Sequence, residues 1–167
     1  MKTNIDHQPR PLEGVTVLDL TAALAGPYAT LLLAGLGARV IKIENPRSPD
    51  TARHNAPFIG RDGVHMQRRH DDDMSLAIME RARNKLSITL NLKSPRGREL
   101  FMQLAAQADA VVENFSAGTA DRLGVGYAAL SAINPRLVYT SISGFGANMV
   151  SAQNKAMDTI VQALSGL

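Results

Sequence analysis

The stretch from Gly14 to Pro46, GVTVLDLTAALAGPYATLLLAGLGARVIKIENP, constrains the fold more than any other part of the chain. Val15, Val17, Leu18 and Leu20 form a short apolar run with β-branched residues, which suits a buried strand. Gly26-Pro27 is read as opening a helix, with Pro27 at the first helical position, where no backbone N–H is needed. Leu31, Leu32 and Leu36 give that helix a broad apolar face, and Gly35 and Gly37 end it. Val40 to Glu44 is a second strand. A strand, a crossover helix and a second strand form a right-handed unit whose strands are parallel and covered by helices.

The rest of the chain repeats that alternation. Strands are expected near residues 15–20, 39–43, 86–92, 109–113 and 137–142. Between and after them, helices are expected over Met74 to Arg83, from Ser94 (N-cap) and Pro95 onward, over Gly118 to Leu123, over Gly124 to Ile133, and over Asp158 to Leu167. The pattern implies an α/β fold with a Rossmann-like, mostly parallel sheet and flanking helices. Met1 to Glu13 is a polar lead-in, with one domain from Gly14 to Leu167. Arg47 to Ser75 shows neither a period of two nor one of 3.6, and is expected to be a long irregular loop.

With 167 residues there is room for one ordinary domain. The absence of cysteine excludes disulfides, thiolate metal sites and cysteine nucleophiles. No apolar run is long enough to span a membrane, and the N-terminus lacks the apolar core of a secretory signal, so a cytoplasmic protein is expected. The formal net charge of +3 comes from Lys and Arg concentrated between Arg39 and Arg98. Those residues are not interleaved with aromatics, which argues against nucleic acid and leaves a solvated basic loop or a pocket for a phosphate-bearing ligand. His54, His65 and His70 match no metal-ligand spacing and are expected to be solvated loop residues.

An open parallel sheet binds ligands outside the carboxyl ends of its strands, and Glu44 lies where a ribose-binding carboxylate would sit in a dinucleotide fold. The turn after the first strand, Thr21-Ala22-Ala23-Leu24-Ala25-Gly26-Pro27, argues against that fold. It carries one glycine where the dinucleotide fingerprint needs three. Asn114-Phe115 and Ser143-Gly144-Phe145-Gly146 lie at two further carboxyl edges.

Six segments resemble, in order, the N-terminal part of the family III CoA-transferases: LEGVTVLDLT, AGPYATLLLAGLGARVIKIENP, NKLSITLNLKSPRGRELF, ADAVVENFSAGTADRLGVGY, NPRLVYTSISGFG and AMDTIVQALSGL. The group includes formyl-CoA, carnitine and bile-acid CoA-transferases and the α-methylacyl-CoA racemases. The resemblance implies an incomplete CoA-binding large domain, completed in the family by a second domain and a returning C-terminal segment. It implies an interlocked homodimer, acyl-CoA and a small carboxylic acid as substrates, and no tightly bound cofactor or metal. In the family's mechanism an aspartate attacks the acyl-CoA thioester, giving a mixed anhydride and free CoA thiolate. The acceptor acid then takes over the activation and leaves as its own CoA ester.

Carried over by position, the resemblance implies CoA contacts at Ala23 and Leu24, at Leu92 and Lys93, at Asn114, Phe115 and Ser116, at Arg122, and at Lys155 to Asp158. Asn45 stands where the family often has a basic residue that meets the nucleotide, with Arg47 as a substitute. In the family register the nucleophilic aspartate falls beyond Leu167, and Asp158 resembles a carboxylate lining the acyl pocket. Met157 replaces the proton-carrying histidine of the racemase branch, which argues against racemization. After Gly146 the chain departs from the family's Gly-Pro turn, over Ala147 to Asn154. The readings left open are a CoA-transferase present as an N-terminal portion, a non-catalytic CoA-binding or assembly fragment, and a dinucleotide-binding module.

Overall fold

The structure, a computed structural model, describes residues 9–146, 156 and 158–166. The central sheet is built from β1 (Thr16–Asp19), β2 (Arg39–Glu44), β6 (Lys85–Thr89), β7 (Ala110–Glu113) and β8 (Val138–Ser141). Its order is β6-β2-β1-β7-β8, and every neighbouring pair is parallel. The chain moves outward from β1 to one edge, returns, and moves outward to the other. The carboxyl ends of β1 and β7 therefore flank the point where the strand order reverses, the place an open sheet of this kind offers to a ligand.

Alternation along the strands sets the two faces. Leu18, Leu20 and Ile43 pack with Phe101, Ala105, Val111, Leu130 and Leu137. That core lies beneath α3 (Pro95–Ala105) and α5 (Tyr127–Ile133). Val17, Val40 and Val112 face the other way and pack with Ala34 of α1 (Ala25–Gly35) and with Ala38. On that second face the strands change from apolar to charged toward their carboxyl ends: Asp19, Lys42 and Glu44 are all buried there. The edge strands remain partly bare, with Leu86 51% and Val138 61% exposed.

The helix ends follow the local sequence, with one exception. Ser94 caps α3 by accepting the Gly97 N–H at 3.0 Å, and Pro95 is the first helical residue. The other end of α3 is closed by Asn134, whose amide donates to the Ala105 and Ala108 carbonyls at 3.1 and 2.9 Å. Helix α1 begins at Ala25, so Pro27 is its third residue rather than its first. A proline is tolerated there because the first four N–H groups of a helix have no intrahelical acceptor. The short helices α2 (Leu76–Arg81) and α4 (Thr119–Arg122), and α6 (Asp158–Ser165), lie within the expected segments.

Arg47 to Ser75 is not an irregular loop. It contains a 3-10 turn at Thr51–His54 and an antiparallel sheet of β3 (Phe58–Gly60), β4 (Gly63–His65) and β5 (Met74–Ser75), in the order β4-β3-β5. Strands of two or three residues are too short to display a period of two, so the sequence pattern could not reveal them. The sheet is closed by Asp73, which is buried and accepts the backbone N–H groups of Arg69 and His70 at 2.8 and 3.0 Å. His70 faces Asp62, and that contact raises its pKa. Among the described residues, no group of three or more His, Asp or Glu side chains is arranged to hold a metal ion, and no helix is long and apolar enough to cross a membrane.

Gly97 tests this packing. Helix propensity alone favours alanine there by up to about 1 kcal/mol, but a methyl group would overlap the Asn91 carbonyl. Gly97→Ala is expected to lower stability by about 1–3 kcal/mol, the usual cost of overpacking. A urea titration of the two proteins measures the sign directly.

Candidate functional site

The site begins with a turn that is not helix and not strand. Thr21, Ala22 and Ala23 leave the carboxyl end of β1, and their three N–H and three C=O groups cannot pair within a ladder. Side chains from five places take them instead. The Thr21 N–H donates to Asp19 at 2.9 Å, and the Thr21 carbonyl accepts from Lys42 Nζ at 2.9 Å. The amide of Asn114 accepts the Ala22 N–H at 2.9 Å and donates to the Ala22 carbonyl at 2.8 Å. The Ala23 N–H donates to Asp50 at 2.9 Å, and Arg81 donates to the Ala23 carbonyl at 3.0 Å. Ala23 sits at φ 68°, a left-handed conformation costly for a residue with a Cβ.

Beneath the turn lies a buried ionic network. Lys42 and Asp50 pair at 2.8 Å with both side chains 1% exposed. Lys85 Nζ lies 3.0 Å from Asp19 and also donates to the Pro27 carbonyl and to Thr30 Oγ1. Thr30 in turn donates to Asp19 at 2.6 Å, which ties the first turns of α1 to the end of β1. Glu44 receives two hydrogen bonds from Arg53, at 2.8 and 2.6 Å, and one from the Asp50 N–H at 3.0 Å. The carboxylate after the second strand is therefore occupied by an arginine of its own chain.

The electrostatics follow from these partners. Burial raises the Glu44 pKa, but the Arg53 hydrogen bond, the Asp50 N–H and the charges of Arg53 and Lys42 outweigh it and bring it down to about 2. For Asp50 burial also acts upward, and Lys42 with the Ala23 and Ala52 N–H groups holds the carboxyl below its ordinary value. Burial lowers the Lys85 pKa, only partly opposed by Asp19.

Two clefts open at the carboxyl edge. The first holds about 140 Å³ and lies between the ends of β1, β2, β6 and β7. Leu20, Ile43, Leu90, Leu92, Phe115 and Leu123 give it apolar walls, and Thr21, Asn45, Asp50 and Lys93 its polar parts. The second, about 370 Å³, lies between the ends of β7 and β8 and is lined by Glu113, Phe115, Ser116, Asp121, Tyr127 and Tyr139, among others. The Tyr139 hydroxyl is buried beside the Glu113 charge, and burial first, then that charge, raises its pKa.

The structure thus brings Asn45, Leu92, Lys93 and Phe115 together in one cleft, with Ala22 on its wall and the exposed Ala23 and Leu24 next along the chain. Asn114 holds the turn rather than projecting into the cleft. Asn45 accepts the Arg47 N–H at 2.9 Å and so forms the bend after β2. Ser116 lines the second cleft, and Arg122, exposed, donates to Thr119 Oγ1 at 2.7 Å. Lys155, Met157 and the Ala147 to Asn154 segment lie outside the described residues, as does most of the polar lead-in. Asp158 is the first residue of α6.

Asp19, Lys42, Asp50, Lys85 and Arg81 escaped the reading of the sequence. A signal was present for two of them. A strand buried on both faces reads as an apolar run, so the charges inside LDL and IKI imply buried partners. Nothing local marks Asp50, Lys85 or Arg81.

A family model described as CoA-transferase family III matches residues 12–167. The chain belongs to that family. It is 45% identical over 157 residues to an acetyl-CoA:oxalate CoA-transferase of Acetobacter aceti, covering 94% of this chain and 37% of that one. It is 39% identical over 159 residues to the succinyl-CoA:glutarate CoA-transferase of Homo sapiens, covering 95% of this chain and 34% of that one. Among solved structures, a CAIB/BAIF family protein from Brucella suis superposes with a TM-score of 0.84 at 39% identity, over 95% of this chain and 40% of that one. The chain therefore spans little more than a third of the length of these curated relatives. The family assignment fits a turn with one glycine and a Glu44 already engaged, both of which disfavour a dinucleotide site.

Glu44 gives a prediction with a definite sign. A carboxylate whose folded pKa is depressed adds stability above its unfolded value and loses it as the pH falls toward its folded value. That window runs from its ordinary 4.5 down to about 2. Glu44→Gln is expected to be less stable than the parent at neutral pH and to lose less stability across the window. Urea midpoints taken through it check this, and parallel acid limbs would contradict it.

Proposed function

We propose that this chain is the CoA-binding portion of an acyl-CoA:carboxylate CoA-transferase. The observation that carries the reading is the first cleft. It lies at the reversal point of the sheet, has apolar walls with Lys93 beside them, and gathers Asn45, Leu92 and Phe115 from segments distant in sequence. Such a cleft suits the flat adenine and the anionic phosphates of CoA. The turn at Thr21 and Ala22 forms its rim, with Ala23 and Leu24 as contacts just beyond it; Asn114 holds that rim in place, and Lys93 meets a phosphate. Ser116 and Arg122 follow the carrier toward the reacting thioester, and by family register alone Lys155 and Asp158 are further CoA contacts. CoA is here a substrate and not a resident cofactor.

In the whole protein a carboxylate nucleophile attacks the thioester carbonyl, the carbon–sulfur bond breaks, and CoA leaves as the thiolate. That nucleophile belongs to the part of the family register beyond Leu167, with Asp158 a wall of the acyl pocket. The relatives are named for oxalate, glutarate and mesaconate, all small dicarboxylates. A small dicarboxylate is therefore the proposed acceptor class, and a homodimer the proposed assembly.

Titration calorimetry of the chain with CoA and, separately, with NAD tests the reading. CoA is expected to bind and NAD not; NAD binding without CoA binding would overturn it. Lys93→Ala is expected to weaken CoA roughly two- to fivefold, the range for one exposed charge pair, with a smaller effect in high salt. The chain alone is expected to give no exchange between acetyl-CoA and oxalate. Turnover would overturn the placement of the nucleophile beyond Leu167 and point to Asp158 instead.

A further inference from the structure

The turn at Thr21–Ala23 is held in a conformation that its own residues do not favour. Ala23 is left-handed at φ 68° and carries a Cβ. Glycine would take that conformation without strain, yet the chain has alanine. Something outside the turn must therefore over-determine it. The Ala23 N–H donates to Asp50 Oδ1 at 2.9 Å. Asp50 is not part of the βαβ unit. It opens the insert between β2 and β6, where the same oxygen accepts the Ala52 N–H and caps the Thr51–His54 turn. Its second oxygen is fixed by Lys42, which reaches up from β2 and also takes the Thr21 carbonyl.

The insert is anchored at this point by a second clamp. Glu44 accepts the Asp50 N–H and both arms of the Arg53 guanidinium. Asp50 is thus pinned from below by Lys42 and along its backbone by Glu44. It has no freedom to follow the turn; the turn must follow it.

We infer that Asp50 is a positioning residue: the insert uses its carboxylate, fixed by Lys42, to impose the left-handed conformation at Ala23 and so to set the rim of the first cleft. Asp50 acts through the backbone it holds, although it also lines the floor of that cleft. The part of the inference that concerns ligand rests on the CoA reading above. The part that concerns the turn does not. On this view the Arg47 to Ser75 insert shapes the site in two ways, through the Asp50–Ala23 hydrogen bond and through Ser48, Pro49 and Asp50, which line the cleft.

Removing Asp50 alone would strand the Lys42 charge in the interior, which could unfold the chain and decide nothing. The test therefore removes the charge pair in two ways. Lys42→Met with Asp50→Asn keeps an acceptor oxygen for the Ala23 and Ala52 N–H groups. Lys42→Met with Asp50→Leu keeps the volume but has no acceptor. Two quantities are measured: the exchange rate of the Ala23 amide proton by NMR, and CoA affinity by calorimetry.

The Leu variant is expected to exchange at Ala23 at least tenfold faster than the Asn variant and to bind CoA about tenfold more weakly. Adding Ala23→Gly to the Leu variant should recover at least half of the lost affinity on a logarithmic scale, because glycine reaches the left-handed conformation unaided. A merely structural role for Asp50 predicts no such rescue. Equal Ala23 exchange in the Asn and Leu variants would overturn the inference, as would loss of affinity in the Leu variant that Ala23→Gly leaves untouched. If the parent chain binds no CoA, the functional reading fails while the exchange comparison still decides the role of Asp50.

Discussion

The buried pair between Lys42 and Asp50 is the contact on which the carboxyl edge of this sheet depends. An ion pair with both side chains 1% exposed adds little net stability over well-packed apolar residues, because both charges must leave water. An apolar pair, however, could not do what these two do. Lys42 also satisfies the Thr21 carbonyl, and Asp50 also satisfies the Ala23 and Ala52 N–H groups. A turn that leaves a parallel strand has no ladder to pair with, and unpaired buried peptide groups are costly. Charged side chains, with the neutral amide of Asn114 at Ala22, replace the missing ladder.

That arrangement explains the two characters of the sheet's α1 face. Near the amino ends of the strands Val17 and Val40 pack against α1 as an ordinary core. Two residues further along each strand the same face carries Asp19 and Lys42, still buried. Lys85 from the neighbouring edge strand completes the set by reaching both Asp19 and the Pro27 carbonyl. The first turns of α1 are therefore fixed by charge, and the later turns by apolar contact. The glycine at position 26 belongs to this design, since a methyl group there would overlap the Thr21 side chain.

The insert after β2 extends the same network outward. Its three short strands have little core of their own: Phe58 is buried, while Val64 and Met66 are exposed. What joins it to the domain is Asp50 and Arg53 on Lys42 and Glu44, while Ser75, donating to the Asn55 carbonyl, ties the insert to itself. A small sheet held by polar contacts at one end can shape the rim of a ligand cleft without belonging to the hydrophobic core.

The sequence by itself determined the class of fold, because hydrophobic period is a local property. The β-branched runs at 15–20 and 109–113, the Ser94-Pro95 helix start and the glycines that close α1 each name their element without reference to anything distant. It also disfavoured a dinucleotide turn, since the glycines that fold requires fall within one short stretch and their lack is visible. The family segments named Asn45, Leu92, Lys93 and Phe115, and the strand order gathered them into one cleft. Only the tertiary structure decided that Glu44 is spent on Arg53, that Asn114 braces the turn, and that Arg47 to Ser75 is a folded insert. Each of these is a pairing across sequence, between 92 residues in the case of Asn114 and Ala22. Such pairings leave no periodic trace, because a buried charge is specified by its partner and not by its neighbours in the chain.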